Sequence, residues 1–211
     1  MARPSRFSEA KILDAAAGLV ARGGPGAATI GAIGAAIDAP WGSIYHRFPS
    51  RHALLGRLWL GKAAEFQDRF VAALADADPL AAGRDAALSL PRSARADFVG
   101  ARILLLHRRD DFFADEWPAE MRREAARLGR QVEEALADIT RRLFKRVTPE
   151  TLRLATLAVL DLPFAATRRH VAANERPPIY VDELIACAYG ALLRSKPGRQ
   201  AKRRPSQKWL E

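Results

Sequence analysis

Between Thr29 and Ser50 the apolar residues fall into two short helical registers separated by a break, which leaves the local chain few ways to fold. Thr29 suits a helix cap, and Ile30, Ile33 and Ile37 recur behind it at three- and four-residue spacing on one face. Asp38-Ala39-Pro40 then interrupts the pattern, because aspartate tolerates turn geometry and proline suits the first position of a new helix. From Pro40 or Trp41 to Phe48 a second helix buries Ile44 and Phe48, four residues apart, and turns Trp41, Ser43, Tyr45, His46 and Arg47 outward. Two short helices joined by a tight turn, apolar inside and polar and aromatic outside, are the pattern of a helix-turn-helix. In that motif the second helix enters the major groove of DNA.

A bracing helix precedes this stretch. Ser8 reads as its cap, Phe7 and Ile12 as a hydrophobic staple, and Ile12, Ala16 and Leu19 as a stripe that ends at Gly23-Gly24-Pro25. The helix from Thr29 holds Gly31 and Gly34, each costing roughly 0.5–1 kcal/mol relative to alanine. Gly34 has a use in close packing of the second helix; for Gly31 only a close backbone approach suggests itself. No Lys or Arg stands between Thr29 and His46, which limits bidentate reading of guanine. Trp41, Gly42 and Ser43 are therefore expected at base edges, with packing of the indole on its own domain as the other reading of Trp41. Tyr45, His46, Arg47 and Arg51 are expected at phosphates, together with Thr29 at the helix start. Arg3 and Arg6 form an arm of the kind that reaches a minor groove.

The run Trp41-Gly-Ser-Ile-Tyr-His-Arg-Phe-Pro-Ser-Arg51 resembles the TetR family of bacterial transcriptional repressors, and Ile12–Gly24 is similar to that family's first helix and glycine stop. The resemblance covers roughly residues 8–55. Trp41 stands where the family often has lysine, Pro40 where it often has serine, and Gly31 where a charge is common. The resemblance implies an all-α fold: a three-helix DNA-binding domain over residues 1–50, a helical ligand-binding and dimerisation domain over 51–194, and a basic tail over 195–211. It also implies a homodimer built on the last two helices, with Leu152, Ala155, Val159, Leu184, Ala188, Ala191 and Leu192 at the interface, although an apolar pair of helices could also serve an intrachain core.

The rest of the chain reads as helices. Ser50 caps one running to about Ala77, Leu80–Leu90 stops before Pro91, and Ser93–Phe113 follows. Trp117–Arg146 is amphipathic, Thr148 caps a helix that Pro163 should kink on its way to Ala173, and Asp182–Arg194 closes the series. Cys187 reads as a small buried residue. The net charge of +10 is uneven: residues 1–54 carry +3, residues 194–211 carry +6, and the 139 residues between carry +1. Two basic ends on a near-neutral body suit an anionic partner. The tail, expected to be disordered, reads equally as a solubility feature. No apolar run is long enough for a membrane span, no signal-peptide core follows the first residues, and one cysteine excludes an intrachain disulfide. A cytoplasmic protein is the simple expectation.

These features predict a ligand-responsive regulator that binds a palindromic operator as a homodimer and is released by a small-molecule inducer. An interaction module with a vestigial helix-turn-helix and non-specific nucleic-acid binding is the alternative. Phe66, Phe98, Arg102, Leu105, His107, Met121 and Phe164 are the candidate pocket residues, since apolar bulk and a few polar groups fall on helices that should surround a cavity. An internal Arg102 would point to an anionic inducer and the apolar surroundings to a hydrophobic one; both remain open here. No cofactor, metal or enzymatic activity is expected, because adjacent carboxylates such as Asp110-Asp111 point apart on a helix and the histidines are scattered.

Overall fold

The computed structural model describes residues 7–112 and 117–195. Arg3 and Arg6 of the expected arm, and all of the basic tail after Ser195, lie outside the described residues. Ten α-helices follow one another, with no strand among the described residues: α1 Glu9–Gly23, α2 Ile30–Ile37, α3 Trp41–Tyr45, α4 Arg51–Ala73, α5 Pro79–Ala96, α6 Phe98–Leu106, α7 Ala119–Phe144, α8 Pro149–Thr156, α9 Leu162–Ala172 and α10 Tyr180–Arg194.

Local chemistry sets most of the starts. Ser8, Thr29, Ser50 and Thr148 each accept a hydrogen bond from the backbone N–H three residues on, and so supply one of the amide partners that a helix start lacks. Asp78 also caps, accepting from Leu80 and Ala81 N–H, with Pro79 in the first turn of α5.

Three boundaries differ from expectation. The second helix of the motif is short: α3 ends at Tyr45, and Phe48 reaches the core from the turn beyond it. α5 does not stop before Pro91 but runs through it to Ala96. The break falls instead at Asp97, whose carboxylate accepts from Gly100 N–H at 2.8 Å and pairs with Lys62 Nζ of α4 at 2.9 Å. Burial alone would raise the Asp97 pKa; the Gly100 amide and the Lys62 ammonium outweigh it and hold the carboxyl below its ordinary value. Finally, the disturbance expected at Pro163 takes the form of a π turn, Leu157–Asp161, just ahead of it. The wider turn changes the hydrogen-bond pattern where proline, lacking an N–H, cannot continue it, and Pro163 sits buried at the start of α9.

The largest core cluster joins α1, α2 and α3 to α4, α6 and the start of α7, with Ile12, Ile33, Ile44, Leu54, Ile103 and Trp117 almost fully buried. This cluster crosses residue 50, so the head is packed directly on the body. Gly56 makes the join possible: a Cβ there would overlap the Trp117 ring and the Met121 methyl. Farther from the head the core divides into three smaller clusters, the main one around Phe70, Leu136, Ile139, Val159 and Tyr189.

Candidate nucleic-acid interface and ligand cavity

The interface is built on α2 and α3. Asp38 turns the chain between them in the left-handed region, at φ 53° and ψ 45°, and Ala39 N–H donates to Gly34 O at 2.9 Å. At Gly34 a Cβ would lie 2.8 Å from the Ala39 carbonyl, so only glycine admits this turn unchanged. Ile44 and Phe48 anchor α3 below, while Trp41, Gly42, Tyr45 and His46 form an exposed strip above, with Ser43 half-buried beside them.

Trp41 packs on its own domain and is exposed at the same time. Its indole lies across α2, with Cζ2 3.6 Å from the Cβ position of Gly31 and Cδ1 3.5 Å from that of Gly34, yet the residue is 64% exposed. The two glycines thus form a flat seat for one side of the ring and leave the other open. This gives Gly31 the role that the sequence alone did not supply. The signal was present: two glycines one helical turn apart, followed by a tryptophan just after the next turn.

Thr29 Oγ1 is engaged as a cap, accepting from Ala32 N–H at 3.1 Å. Arg47 is half-buried and donates to Ser43 O at 3.4 Å. Arg51 is placed differently from the phosphate position expected of it. Its Nε donates to Ala28 O at 2.9 Å and its Nη2 to Pro25 O, so the guanidinium ties the start of α4 to the turn between α1 and α2.

The pocket residues divide even more sharply. A cavity of about 240 Å³ lies between α4, α5, α7 and the π turn, lined by Phe66, Gln67, Phe70, Ala86, Ser89, Leu90, Val132, Val159 and Leu160. Of the seven candidates only Phe66 lines it. Arg102 is a strut, because its Nε donates to Ala21 O of α1 at 2.6 Å while Nη1 reaches Val171 O at 3.2 Å and Asn174 Oδ1 at 2.9 Å. His107 packs against Gly24, just past the end of α1; desolvation lowers its pKa, with Arg102 acting in the same direction and Asp111 and the Val20 carbonyl opposing. Met121 belongs to the core beside Gly56, and Leu105 is buried in a cluster that Phe98 flanks under the Arg176 guanidinium. Phe164 is exposed on α9. Phe98 and Arg102 line a different cleft, of about 320 Å³, against α1, and Met121 lines a third; helical spacing shows that a residue faces inward, not which neighbour it meets.

The last helices separate in a similar way. Ala155 and Val159 are buried in this chain's own core, with Leu152 packed beside them. Exposed on α10 are Tyr180, Glu183, Leu184, Cys187, Ala191 and Arg194, with Leu184 61% exposed, and Ala188 and Leu192 half-buried alongside. Leu157 and Phe164 are exposed on the adjoining helical run. Cys187 is therefore an exposed thiol, not the buried residue expected. The spacing of 180, 184, 187 and 191 on one helical face was the available signal.

Among the described residues no group of three or more His, Cys, Asp or Glu could hold a metal ion, and no helix is long and apolar enough to cross a membrane.

Residues 12–58 match the model for bacterial regulatory proteins of the tetR family. A comparison with curated proteins finds no match. Among solved structures the chain is similar to the regulator FadR from Bacillus subtilis in complex with stearoyl-CoA, at 14% identity and TM-score 0.68 over 90% of this chain and 100% of that one. It is similar also to the ketosteroid regulator KstR2 of Mycobacterium tuberculosis, at 16% identity and TM-score 0.66 over 92% and 95%. A putative tetR-family regulator from Shewanella, at 20% identity and TM-score 0.63 over 88% and 95%, shares the same fold.

Proposed function

We infer that this chain, whose residues 12–58 carry the DNA-binding domain of the tetR family and whose helices have the fold of tetR-family regulators, is a ligand-responsive transcriptional repressor. The observation that carries the reading is the exposed strip of α3, held on a core of wholly buried isoleucines and presented by a turn that Gly34 alone permits. Trp41 and Ser43 read base edges. Tyr45, His46 and Arg47 position the helix on phosphates, and Arg51 keeps the head in shape.

Two heads are needed, since one short helix makes too few contacts for specific affinity. The apolar face of Tyr180, Leu184 and Ala191 with Leu157 and Phe164 supports a homodimer through α9 and α10. An operator with two-fold symmetry follows, its half-sites about one helical turn (~34–36 Å) or a multiple of it apart. The apolar cavity beside Phe66 supports an inducer site within the body; the similar FadR from Bacillus subtilis is solved in complex with stearoyl-CoA. A ligand there favours a body shape in which the heads no longer fit the operator, and by reciprocity the operator weakens the ligand. Head and body move as coupled parts because Arg102 ties α6 to Ala21 of α1 and His107 packs on Gly24 just beyond it.

Selection of bound sequences from a random DNA pool tests the reading. Enrichment of one palindrome is expected, and Leu184→Glu should yield a monomer by sedimentation that enriches none. Purely salt-sensitive binding without enrichment would contradict the proposal.

A further inference from the structure

The face that α3 offers to DNA lacks the side chains that read purines by paired hydrogen bonds. Trp41–Tyr45 contains no lysine, arginine, asparagine or glutamine, the usual partners of guanine and adenine edges in the major groove. Arg47, just beyond, is half-buried and donates to the Ser43 carbonyl. What the strip exposes most is carbon, because Trp41 stands farther into solvent than Tyr45 does.

The seat on α2 decides which part of the indole is presented. The ring atoms nearest to the Cβ positions of Gly31 and Gly34 are Cζ2, Cε2 and Cδ1. All three lie along the nitrogen-bearing edge of a rigid, planar ring. That edge therefore borders α2, and the all-carbon edge through Cε3 and Cζ3 is turned away from it. An edge without donor or acceptor makes no hydrogen bond to a base, but it gains from an apolar neighbour. The major groove offers one such group, the C5 methyl of thymine. Because the ring already rests on its glycine seat, little rotamer freedom is lost when DNA arrives. Gly42 completes the arrangement: a Cβ there would meet nothing within 4 Å, so a base pair has open space in which to approach the α3 backbone beside the indole.

Resting on the DNA-reading role of α3 proposed above, we propose that Trp41 selects thymine. Each half-site of the operator carries a thymine whose methyl packs on the carbon edge of the indole, and Trp41 is the specificity-determining residue at that base pair.

The test starts from the sequence that the full chain selects from a random DNA pool. Each thymine of the half-site is replaced in turn, in both halves at once, by deoxyuridine, which removes the methyl and leaves base pairing intact. Affinities are read by anisotropy of labelled DNA at one salt concentration. At one thymine position the replacement should weaken wild-type binding about tenfold, the worth of one buried methyl in each half-site. The same replacement should cost Trp41→Ala, and Trp41→Ser as a second variant against misfolding, under about twofold, as direct coupling of ring and methyl requires. Ser43→Ala should keep the full uracil penalty. Indifference of the wild type to uracil at every thymine, or a penalty that survives in both Trp41 variants, would overturn thymine selection and leave α3 as the reader. Failure to enrich any sequence is a different result: it overturns the repressor reading itself, and thymine selection with it.

Discussion

In the head, Ile12, Ile33, Ile44 and Leu54 lie wholly buried in one cluster that continues into Trp117 and Leu128, and the turn there leaves no space even for a methyl at Gly34. In the body the buried side chains divide among three clusters, an apolar cavity opens beside Phe66 and Val159, and a π turn interrupts the helical run that lines it. Both regions are helical, and both use side-chain caps: Ser8 and Thr29 in the head, Ser50, Asp78, Asp97 and Thr148 in the body. They differ in what is left unfilled. A reader of DNA must hold α3 in one place, because a base contact tolerates little displacement. A body gated by a ligand, as proposed above, keeps two arrangements close in energy, and incomplete packing is one way to do so.

Adding one methyl tests the difference most strongly. Gly34→Ala should lower stability by about 1–3 kcal/mol, since its Cβ meets the backbone carbonyl of Ala39 and not a movable side chain. Ala86→Met, a larger addition but into the cavity, should leave stability unchanged or raise it by up to about 1 kcal/mol. Chemical denaturation measures both, and equal losses would erase the contrast between regions.

A smaller effect is expected at the brace. Arg51→Gln removes two bonds to the Pro25 and Ala28 carbonyls and should cost roughly 1–2 kcal/mol of stability. If Arg51 is a brace and not a phosphate contact, the slope of log affinity for DNA against log salt should fall by less than the ~0.9 that one lost phosphate contact gives. A full unit of change would return Arg51 to the DNA surface.

The smallest effect joins the two regions. His107 binds a proton less readily folded than unfolded, chiefly because it is desolvated against the end of α1, so the unfolded chain takes up more protons as pH falls. Its contribution is therefore fully favourable above the ordinary histidine value near 6.5 and diminishes as pH falls from there toward the lowered folded value. His107→Gln should flatten the stability–pH curve between about pH 7 and 5. An unaltered slope would show that the junction does not sense that proton.

What was legible in the sequence follows the same division. Caps at Ser8, Thr29, Ser50 and Thr148 act over three residues, and the inner face of Ile30, Ile33 and Ile44 repeats at helical spacing, so the head could be read directly. Arg51 meets a carbonyl 26 residues away and Arg102 one 81 residues away, distances over which no local pattern carries information. The cavity is harder still. It is a property of how α4, α5 and α7 fail to meet, and the residues around it look like any others on an apolar face. Pro91 and Pro163 show the limit of breaker rules: one is carried inside α5 and the other is accommodated by a π turn, because neighbouring helices hold both segments in place.

Reading of DNA by α3 from a fixed head is the central proposal. The decisive measurement is the affinity of the wild type and of a Trp41→Ala, Ser43→Ala double variant for the selected palindrome and for scrambled DNA at one salt concentration. A loss of tenfold or more on the palindrome, with scrambled-DNA affinity and thermal stability unchanged, is the predicted result. Equal affinity of the two proteins for the palindrome would show that α3 does not specify the sequence and would contradict the account.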